Sequence, residues 1–263
     1  MKSQSHWVMS LTLAALPLLG GCEADEDPTL ASGGSMQVGG SAGGVTMGAG
    51  EQMNSGGTPL PTEPIEGCVG PENVTDQQAP QPATSGECVT CEGAPAPDFI
   101  LRDLSPTSCG VGKYYGLDAF VGQVTFVVLL RSTCGYCHGQ LEKLEQMRFE
   151  LLAMGYELHM VVINEIDTQG TIDLLTQRSQ IPVFQDVAEV DAWRALSDPD
   201  PDAEAESESE SRIGGDKDDM YIYDAEGNLW RFLDDDDPAH SLNLSTDEGY
   251  TYLKDALIEA LSD

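Results

Sequence analysis

The chain has 263 residues, and its 45 acidic side chains against 12 lysines and arginines give a formal net charge of −33 at pH 7. A chain with so large a negative charge repels nucleic acids and anionic lipid headgroups, so we expect no nucleic-acid partner. The length suffices for one domain with extensions, and 7 cysteines in an exported chain indicate disulfides and an oxidising compartment.

The first 21 residues have the pattern of a secretory signal. A lysine at position 2 precedes an apolar stretch from Trp7 to Leu19 that is too short to span a bilayer. The ending Leu-Gly-Gly-Cys22 resembles the lipobox of bacterial lipoproteins, in which the cysteine is lipidated and becomes the mature N-terminus. Ordinary cleavage with Cys22 as a free thiol is the alternative. We favour a protein of the bacterial cell envelope, lipid-anchored at Cys22 and facing the periplasm or the cell surface.

Residues 22–90 are rich in Gly, Ser and Pro and show no apolar periodicity. Such a segment buries too little apolar surface to offset the entropy of ordering it, so we expect a flexible, disordered tether. The folded domain is predicted to span residues 91–263.

The stretch from residue 124 to residue 154 carries the chemistry. An apolar run, Val124–Leu130, has the length and composition of a buried parallel strand, and chemistry in α/β folds lies at the carboxyl ends of such strands. Next comes Cys134-Gly-Tyr-Cys137, and then an amphipathic helix predicted over Tyr136–Met154. Because a helix N-terminus favours a thiolate, we expect Cys134 to be the exposed nucleophile and Cys137 the resolving thiol.

The elements that follow predict an α/β fold with a mixed sheet. A second buried strand is expected at Leu158–Asn164 and a second helix at Thr171–Gln180. A turn-forming Asp-Ala-Glu-Gly-Asn separates strands Met220–Tyr223 and Leu229–Leu233 as a hairpin. The last helix opens with a capping box that begins at Ser245. The order strand, helix, strand, helix, hairpin, helix favours one central sheet flanked by helices.

Two acidic tracts interrupt this order. One lies within an insertion predicted over residues 198–219, and the other is the aspartate run Asp234–Asp237. Neither has the spacing of a calcium-binding EF-hand loop, so we interpret both as solvated, self-repelling loops.

Four further cysteines are expected to form structural disulfides. The second Cys-x-x-Cys motif, Cys88-Val-Thr-Cys91, follows no apolar strand and precedes no helix pattern, so nothing there lowers a thiol pKa. With Cys68 and Cys109 it allows 3 pairings, among which the sequence does not choose. Their irregular spacing argues against zinc, and we expect no metal site.

Three blocks of the chain, in the same order, resemble the thioredoxin superfamily and in particular the N-terminal domain of selenoprotein P. They are Val124–Leu130 before the cysteine pair, Ile181-Pro-Val-Phe184, and Asp218–Asp224 leading into the hairpin. The resemblance implies a thioredoxin-like fold, with Cys134 at the selenocysteine position and Cys137 at the second cysteine. It also implies that Pro182 is the superfamily's cis-proline, which faces the redox pair and, with Ile181, contacts an extended substrate.

The function that these features predict is thiol–disulfide exchange on protein thiols and disulfides, coupled to an upstream reductant or oxidant. No cofactor is required, and we expect a monomer. Tyr136 and His138 are candidate modulators of the Cys134 thiolate, since they are next to the pair in sequence.

Three alternatives stay open. A thiol peroxidase is one, because Ser132-Thr-Cys-Gly faintly resembles the glutathione peroxidase loop, although Val127 and Arg131 stand where peroxiredoxins have Pro and Thr. A copper-binding module that uses Cys134, Cys137 and His138 is the second, since soft ligands suit Cu(I). A redox-inactive domain with a stabilising disulfide is the third.

Overall fold

The structure is a computed structural model that describes residues 67–199 and 212–263. These residues belong to one compact unit, Gly57–Asp263. The predicted signal, the lipidation candidate Cys22 and most of the predicted tether lie outside the described residues, as do residues 200–211 of the acidic insertion.

The described residues form strands and helices in the predicted α/β order. The strands are β1 (Gln81–Thr84), β2 (Asp98–Asp103), β3 (Tyr114–Tyr115), β4 (Thr125–Leu130), β5 (His159–Asn164), β6 (Val183–Gln185), β7 (Asp198–Pro199), β8 (Arg212–Ile213), β9 (Met220–Tyr223) and β10 (Leu229–Leu233). The α-helices are α1 (Gly135–Ala153), α2 (Asp173–Thr176), α3 (Ala192–Ala195) and α4 (Asp247–Ala260).

The central sheet has the strand order β1-β2-β6-β5-β4-β9-β10, with β3 paired to β2. Strand β4 lies between β5, to which it is parallel, and β9, to which it is antiparallel. Strand β6 continues the parallel part beyond β5, and β2 joins β6 in antiparallel fashion. A mixed sheet with helix α1 leaving its central strand is a thioredoxin-like arrangement, which confirms the predicted fold class.

Alternation along the three central strands divides the core into two layers, because successive side chains of a strand point to opposite faces. Phe126, Val128 and Leu130 of β4 pack in the layer that contains α1 and α4. Val127 and Leu129 pack in the layer on the other face, with β2 and β3. Every residue of β4 is buried, as expected for a strand covered on both faces.

The predicted helix after the redox motif is confirmed within two residues at each end. Helix α1 runs from Gly135 to Ala153, and Gly155, with φ of 88°, follows its C-cap Met154. The last helix is also present, but its N-cap is Thr246, whose hydroxyl accepts from Gly249 N–H at 3.2 Å. The predicted capping box at Ser245 is therefore wrong by one position.

The second predicted helix is replaced by two shorter ones. In place of a helix over 171–180, the chain forms a 3₁₀ helix, Ile166–Thr171, and the single turn α2. The hydroxyl of Thr168 bonds to Asn164 Oδ1 and the hydroxyl of Thr171 bonds to Thr168 O, so these side chains compete with a regular helix.

The folded region includes residues that the sequence analysis assigned to the tether. Strand β1 pairs with β2, and Cys68 is joined to Cys109 by a disulfide across 41 residues. A second disulfide joins Cys88 to Cys91. The boundary at residue 91 is therefore too late, because composition alone does not reveal an ordering cross-link.

Both ends of the acidic insertion are also ordered. Asp198 is 7% exposed in β7, which pairs with β8, and Asp218 and Asp219 are at most 1% exposed at the entry to β9. Asp198, the first residue of the acidic tract, is thus packed against the fold, contrary to the interpretation of that tract as a solvated loop. In the part of the chain that the structure describes, no helix is long and apolar enough to cross a membrane.

Candidate active site

The redox motif lies at the carboxyl end of β4, where the chain turns into α1. The turn is closed by Cys134 N–H, which donates to Arg131 O at 3.0 Å. Cys134 is the N-cap of α1, and its Sγ accepts a hydrogen bond from Cys137 N–H at 3.3 Å. The first free N–H groups of the helix are thus directed toward this sulfur.

A buried polar network holds the turn that precedes Cys134. Ser132 N–H donates to Asn164 Oδ1 at 2.9 Å, and Ser132 Oγ donates to Thr168 O at 2.7 Å. Asn164, at the end of the neighbouring strand β5, is itself oriented by a bond from its Nδ2 to Gln185 Oε1 at 2.7 Å. Because Ser132, Asn164 and Gln185 are at most 2% exposed, these bonds fix the backbone from which the nucleophile projects.

The two sulfurs have different surroundings. Both are thiols, with Cys134 partly exposed and Cys137 0% exposed. Burial alone would raise the pKa of Cys134, but the Cys137 thiol and the backbone N–H groups of Cys137 and Tyr136 donate hydrogen bonds to it, and Lys217 adds positive charge. Together these interactions outweigh burial and hold the pKa of Cys134 below that of an ordinary thiol.

The pKa of Cys137 is shifted in the opposite direction. Burial raises the pKa of this thiol most, and its hydrogen bond to Cys134 and the negative charge of Asp218 raise it further. The reduced pair therefore carries its negative charge on Cys134, the sulfur that is accessible to solvent.

An ion pair, Lys217–Asp218, comes to the site from a distant part of the sequence. Asp218 N–H donates to Leu129 O at 2.8 Å as the chain enters β9, which places these residues beside the carboxyl end of β4. Lys217 Nζ pairs with the buried Asp218 carboxylate and lies 5.3 Å from the centre of the Tyr136 ring. Asp218 has φ of 76°, and its Oδ1 has no hydrogen-bond partner among the described residues.

The sequence analysis did not identify this pair. Lys217 is a cation with aspartates at positions 216, 218 and 219, and that was the one local signal. Lys217 lies near the redox pair only because β9 pairs with β4 in antiparallel fashion, which joins segments some ninety residues apart in the chain.

The predicted modulators Tyr136 and His138 have distinct positions. Tyr136 is 40% exposed, and burial, followed by the charges of Asp218 and Asp235, raises its pKa to about 12, so it is a neutral phenol at physiological pH. His138 Nε2–H donates to Ser132 O at 2.7 Å, so the ring is directed back onto the redox turn. That bond makes His138 a further brace of the turn.

The structure does not bring Pro182 and Ile181 to the redox pair, contrary to expectation. Pro182 precedes β6, two strands from β4, and its carbonyl accepts from Val162 N–H in the middle of β5 at 3.0 Å. No cis peptide bond occurs in the described residues, and Ile181 is 1% exposed in the core. The Pro182 ring packs at Gly70, where an added Cβ would lie 2.9 Å from Cγ. The predicted substrate contact by these two residues is therefore wrong, and segment 216–219 lies beside the pair instead.

A second acidic segment, Asp234–Asp237, lies against 216–219. Asp235 N–H donates to Asp219 Oδ1 at 3.1 Å, and Asp216 N–H donates to Asp219 Oδ2 at 2.8 Å. Burial raises the pKa of Asp219 to about 7; these two donors oppose the rise, while Asp234 and Asp216 add to it. The surroundings of the redox pair are thus strongly negative, with Lys217 as a cation within them.

The other Cys-x-x-Cys pair has a different environment. The carboxylate of Asp198 accepts from Val89 N–H and Thr90 N–H, both at 2.8 Å, and from Thr90 Oγ at 2.7 Å. Its Oδ2 also lies 3.5 Å from Cys88 Sγ. The observed pairing, Cys68 with Cys109 and Cys88 with Cys91, is one of the three that the sequence left open. Within the described residues no group of three or more His, Cys, Asp or Glu side chains is arranged to hold a metal ion.

Comparison with known proteins supports the resemblance that the sequence suggested. The sequence model of the family described as "Selenoprotein P, N terminal region" matches residues 105–234, just under half of the chain. This confirms the resemblance, and the match includes the redox motif and the Lys217–Asp218 pair. No curated protein matches the chain.

Solved structures are similar at the level of the fold. A candidate protein disulfide isomerase from Bacteroides thetaiotaomicron has a TM-score of 0.46 and 16% identity, over 68% of this chain and 96% of its own. An SCO1/SenC family lipoprotein from Bacillus anthracis has a TM-score of 0.42 and 13% identity, over 63% and 93% of the two chains. A secreted disulfide oxidoreductase of Mycobacterium tuberculosis has a TM-score of 0.40 and 13% identity, over 61% and 95%.

Proposed function

We propose that this thioredoxin-like chain, whose residues 105–234 match the N-terminal region of selenoprotein P, is a thiol–disulfide oxidoreductase that acts on protein disulfides or dithiols. The observation that carries the proposal is the position of Cys134. Its sulfur is the N-cap of a 19-residue helix and accepts a backbone N–H, and a buried second thiol is located one turn later. This arrangement favours a thiolate on the accessible cysteine.

In the first step the Cys134 thiolate attacks one sulfur of a substrate disulfide. A bond forms between Cys134 Sγ and that sulfur, the substrate S–S bond breaks, and the second substrate sulfur leaves as a thiolate that takes a proton from water. The depressed pKa of Cys134 supports this role, because the thiolate is the reactive species.

In the second step Cys137 resolves the mixed disulfide. Cys137 loses its proton and attacks Cys134 Sγ, the substrate leaves as a thiol, and the pair ends as a disulfide after passing two electrons to the substrate. Once Cys134 is bonded to substrate it no longer carries a thiolate, so one of the interactions that raise the pKa of Cys137 is lost. We assign Asp218 as the proton acceptor, since its buried carboxylate acts on Cys137 and has one oxygen without a partner. The reverse sequence oxidises a substrate dithiol.

The test is reduction of insulin by the full chain with a dithiol as reductant. Replacing Cys134→Ser should lower turnover at least about a hundredfold, since a hydroxyl does not attack a disulfide under these conditions. Replacing Cys137→Ser should allow the first step and trap Cys134 in a mixed disulfide, which is visible on a non-reducing gel. Equal turnover by wild type and Cys134→Ser would contradict the proposal.

We further propose that the domain is exported and held at a bacterial membrane by a lipid on Cys22. The support is the apolar signal and the Leu-Gly-Gly-Cys ending in the sequence. Labelling with palmitate in bacteria, lost on Cys22→Ser, tests the anchor; the same label on the serine variant would rule it out.

A further inference from the structure

A cleft lies beside the last strand of the sheet, between β10, α4 and the segment that joins them. Its volume is about 300 Å³. Its walls include Ile213, Phe232, Asp234, Asp237, His240 and Tyr252. We call this site the aromatic cleft. From its lining we infer that it is a substrate subsite for a cationic side chain, lysine or arginine, of the protein whose disulfide or dithiol reacts at Cys134; this rests on the proposed function.

Three aromatic rings contribute to the lining of the aromatic cleft. The His240 and Tyr252 rings stack with their centres 4.3 Å apart and their planes within 14° of parallel. Phe232 is half-buried and adds a third ring to the lining. Aromatic faces attract cations and pack against the aliphatic stem of a long side chain, so this lining suits lysine or arginine better than a short polar group.

The rim of the aromatic cleft carries negative charge, and no cationic side chain that the structure describes is paired with it. Asp234 Oδ1 accepts from Asp236 N–H at 2.9 Å, and Asp237 Oδ1 accepts from Ala239 N–H at 2.8 Å. None of the ion pairs between described side chains includes a member of Asp234–Asp237. An incoming ammonium or guanidinium group would therefore gain two carboxylate partners without displacing a cation among the described side chains.

The aromatic cleft is joined to the redox pair by two short segments. Ile213 of the cleft wall is four residues from Lys217, which lies over Tyr136. Asp235, between the two rim aspartates, bonds to Asp219 and adds to the negative field at Tyr136. A substrate chain whose cysteine is at Cys134 can thus extend along 213–217 or 234–237 to place a side chain a few residues away in the cleft.

The experiment measures kcat/KM of the full chain with matched disulfide peptides at low ionic strength. Each peptide carries a lysine at one of three positions on either side of its cystine, and its control carries acetyl-lysine, which keeps the stem and removes the charge. For at least one position we expect wild type to prefer lysine about tenfold, a size consistent with one cation–π contact and two partly exposed ion pairs. The preference should fall to about twofold or less in 1 M salt, where the screening length is about 3 Å.

Paired variants locate the preference within the acidic loop. Asp234→Asn with Asp237→Asn removes the rim charges but keeps both Oδ1 acceptors, and should reduce the lysine preference, taken as the ratio of kcat/KM for the lysine and acetyl-lysine peptides within the variant, to about twofold or less. Asp236→Asn removes one charge from the same loop at a residue outside the cleft lining, and should keep most of the preference. Tyr252→Leu should weaken the preference while preserving the apolar contact with α4.

A binding arm separates this inference from the proposed function. A lysine peptide with serine in place of cysteine should perturb the NMR signals of the His240 ring in wild type and not in the Asp234→Asn, Asp237→Asn variant. If no peptide is reduced by wild type, the proposed function fails, and the NMR binding experiment alone then tests whether the subsite exists. Equal kcat/KM for lysine and acetyl-lysine at every position, absence of the perturbation, or an equal loss of preference in Asp236→Asn would each overturn the subsite.

Discussion

The chain contains two Cys-x-x-Cys motifs with the same spacing, and their surroundings differ at each step. At Cys134–Cys137 the N–H of Cys137 donates to Cys134 Sγ, and Lys217 adds positive charge. At Cys88–Cys91 the N–H groups of the two intervening residues donate to the carboxylate of Asp198 instead. The same carboxylate lies 3.5 Å from Cys88 Sγ, where it opposes a thiolate.

The contrast shows that the spacing of a dithiol does not determine its reactivity. What matters is which group receives the N–H donors of the loop and which charge faces the sulfur. In the first motif the Cys134 sulfur accepts the N–H donor of the loop, and Lys217 supplies positive charge. In the second motif the Asp198 carboxylate accepts the N–H donors. The first is therefore suited to exchange, and the second to fastening residues 88–91 to β7.

The largest expected effect comes from removing each pair in turn. Cys134→Ser with Cys137→Ser should abolish insulin reduction, since no nucleophile remains, and should change the free energy of unfolding of the reduced protein little. Cys88→Ser with Cys91→Ser should leave activity within about twofold but cost about 2 kcal/mol of stability, the loop-entropy value for so short a ring. Urea unfolding and the insulin assay measure both quantities.

Cys68→Ser with Cys109→Ser serves as the calibration for this experiment. Because that disulfide closes a loop of 41 residues, the same relation gives about 4 kcal/mol. Loss of activity in the Cys88, Cys91 variant at a temperature where it is fully folded would show that the two motifs exchange electrons, and the contrast drawn above would be wrong.

Much of the reactive motif could be predicted from the sequence. The apolar run of β4, the period of α1 and the turn before β10 are local signals, so the strand, the helix and the hairpin lie close to their predicted limits. Cys134 at a helix start also follows from local order. These features are set by residues adjacent in the chain.

The rest of the site depends on which strands pair, and local patterns do not report that. Ile181-Pro182 has the residue types expected beside a redox pair, but β6 is added beyond β5 and carries Pro182 away from β4. Asp218 was expected in the block that leads into the hairpin, and its buried position at the carboxyl end of β4 follows from the pairing of β9 with β4. Likewise, β1 and the residues near Cys68 are ordered by a disulfide and a sheet edge, neither of which composition encodes.

The buried aspartates beside the two motifs supply the next test. Asp198 is held by three hydrogen bonds. Burial raises the pKa of Asp219 from 3.8 to about 7, and the charges of Asp234 and Asp216 add to the rise, while its two N–H donors oppose it. A carboxyl whose pKa is higher in the folded state binds more protons there, so its contribution to stability is complete below pH 4 and is lost as pH rises toward 7. The loss amounts to about 4 kcal/mol for a shift of this size.

Asp219→Asn should remove this part of the pH dependence. The variant gives up one acceptor, so its stability at a single pH is not informative; the difference between wild-type and variant free energies of unfolding should change by about 4 kcal/mol between pH 4 and pH 8. Asp236→Asn, at an exposed position in the neighbouring loop, is the matched control and should give a nearly constant difference. A constant difference for Asp219→Asn as well would place its titration near that of an ordinary aspartate.

The smallest expected effect tests the positive charge that distinguishes the redox pair. Lys217→Gln removes a cation that favours the Cys134 thiolate and leaves the Asp218 carboxylate unpaired near Cys137, so the pKa of Cys134 should rise. For a partly exposed charge we expect about half a pH unit, or about threefold slower alkylation by iodoacetamide at neutral pH. Lys217→Arg keeps the charge and should keep the rate–pH profile of alkylation. Lys143 lies on α1 with its ammonium over the Tyr250 ring, and Lys143→Gln should also leave that profile unchanged. If the rate–pH profile of Lys217→Gln overlays that of wild type, the helix N-terminus and the Cys137 thiol alone account for the reactive sulfur, and the difference between the two motifs reduces to where their backbone N–H groups donate.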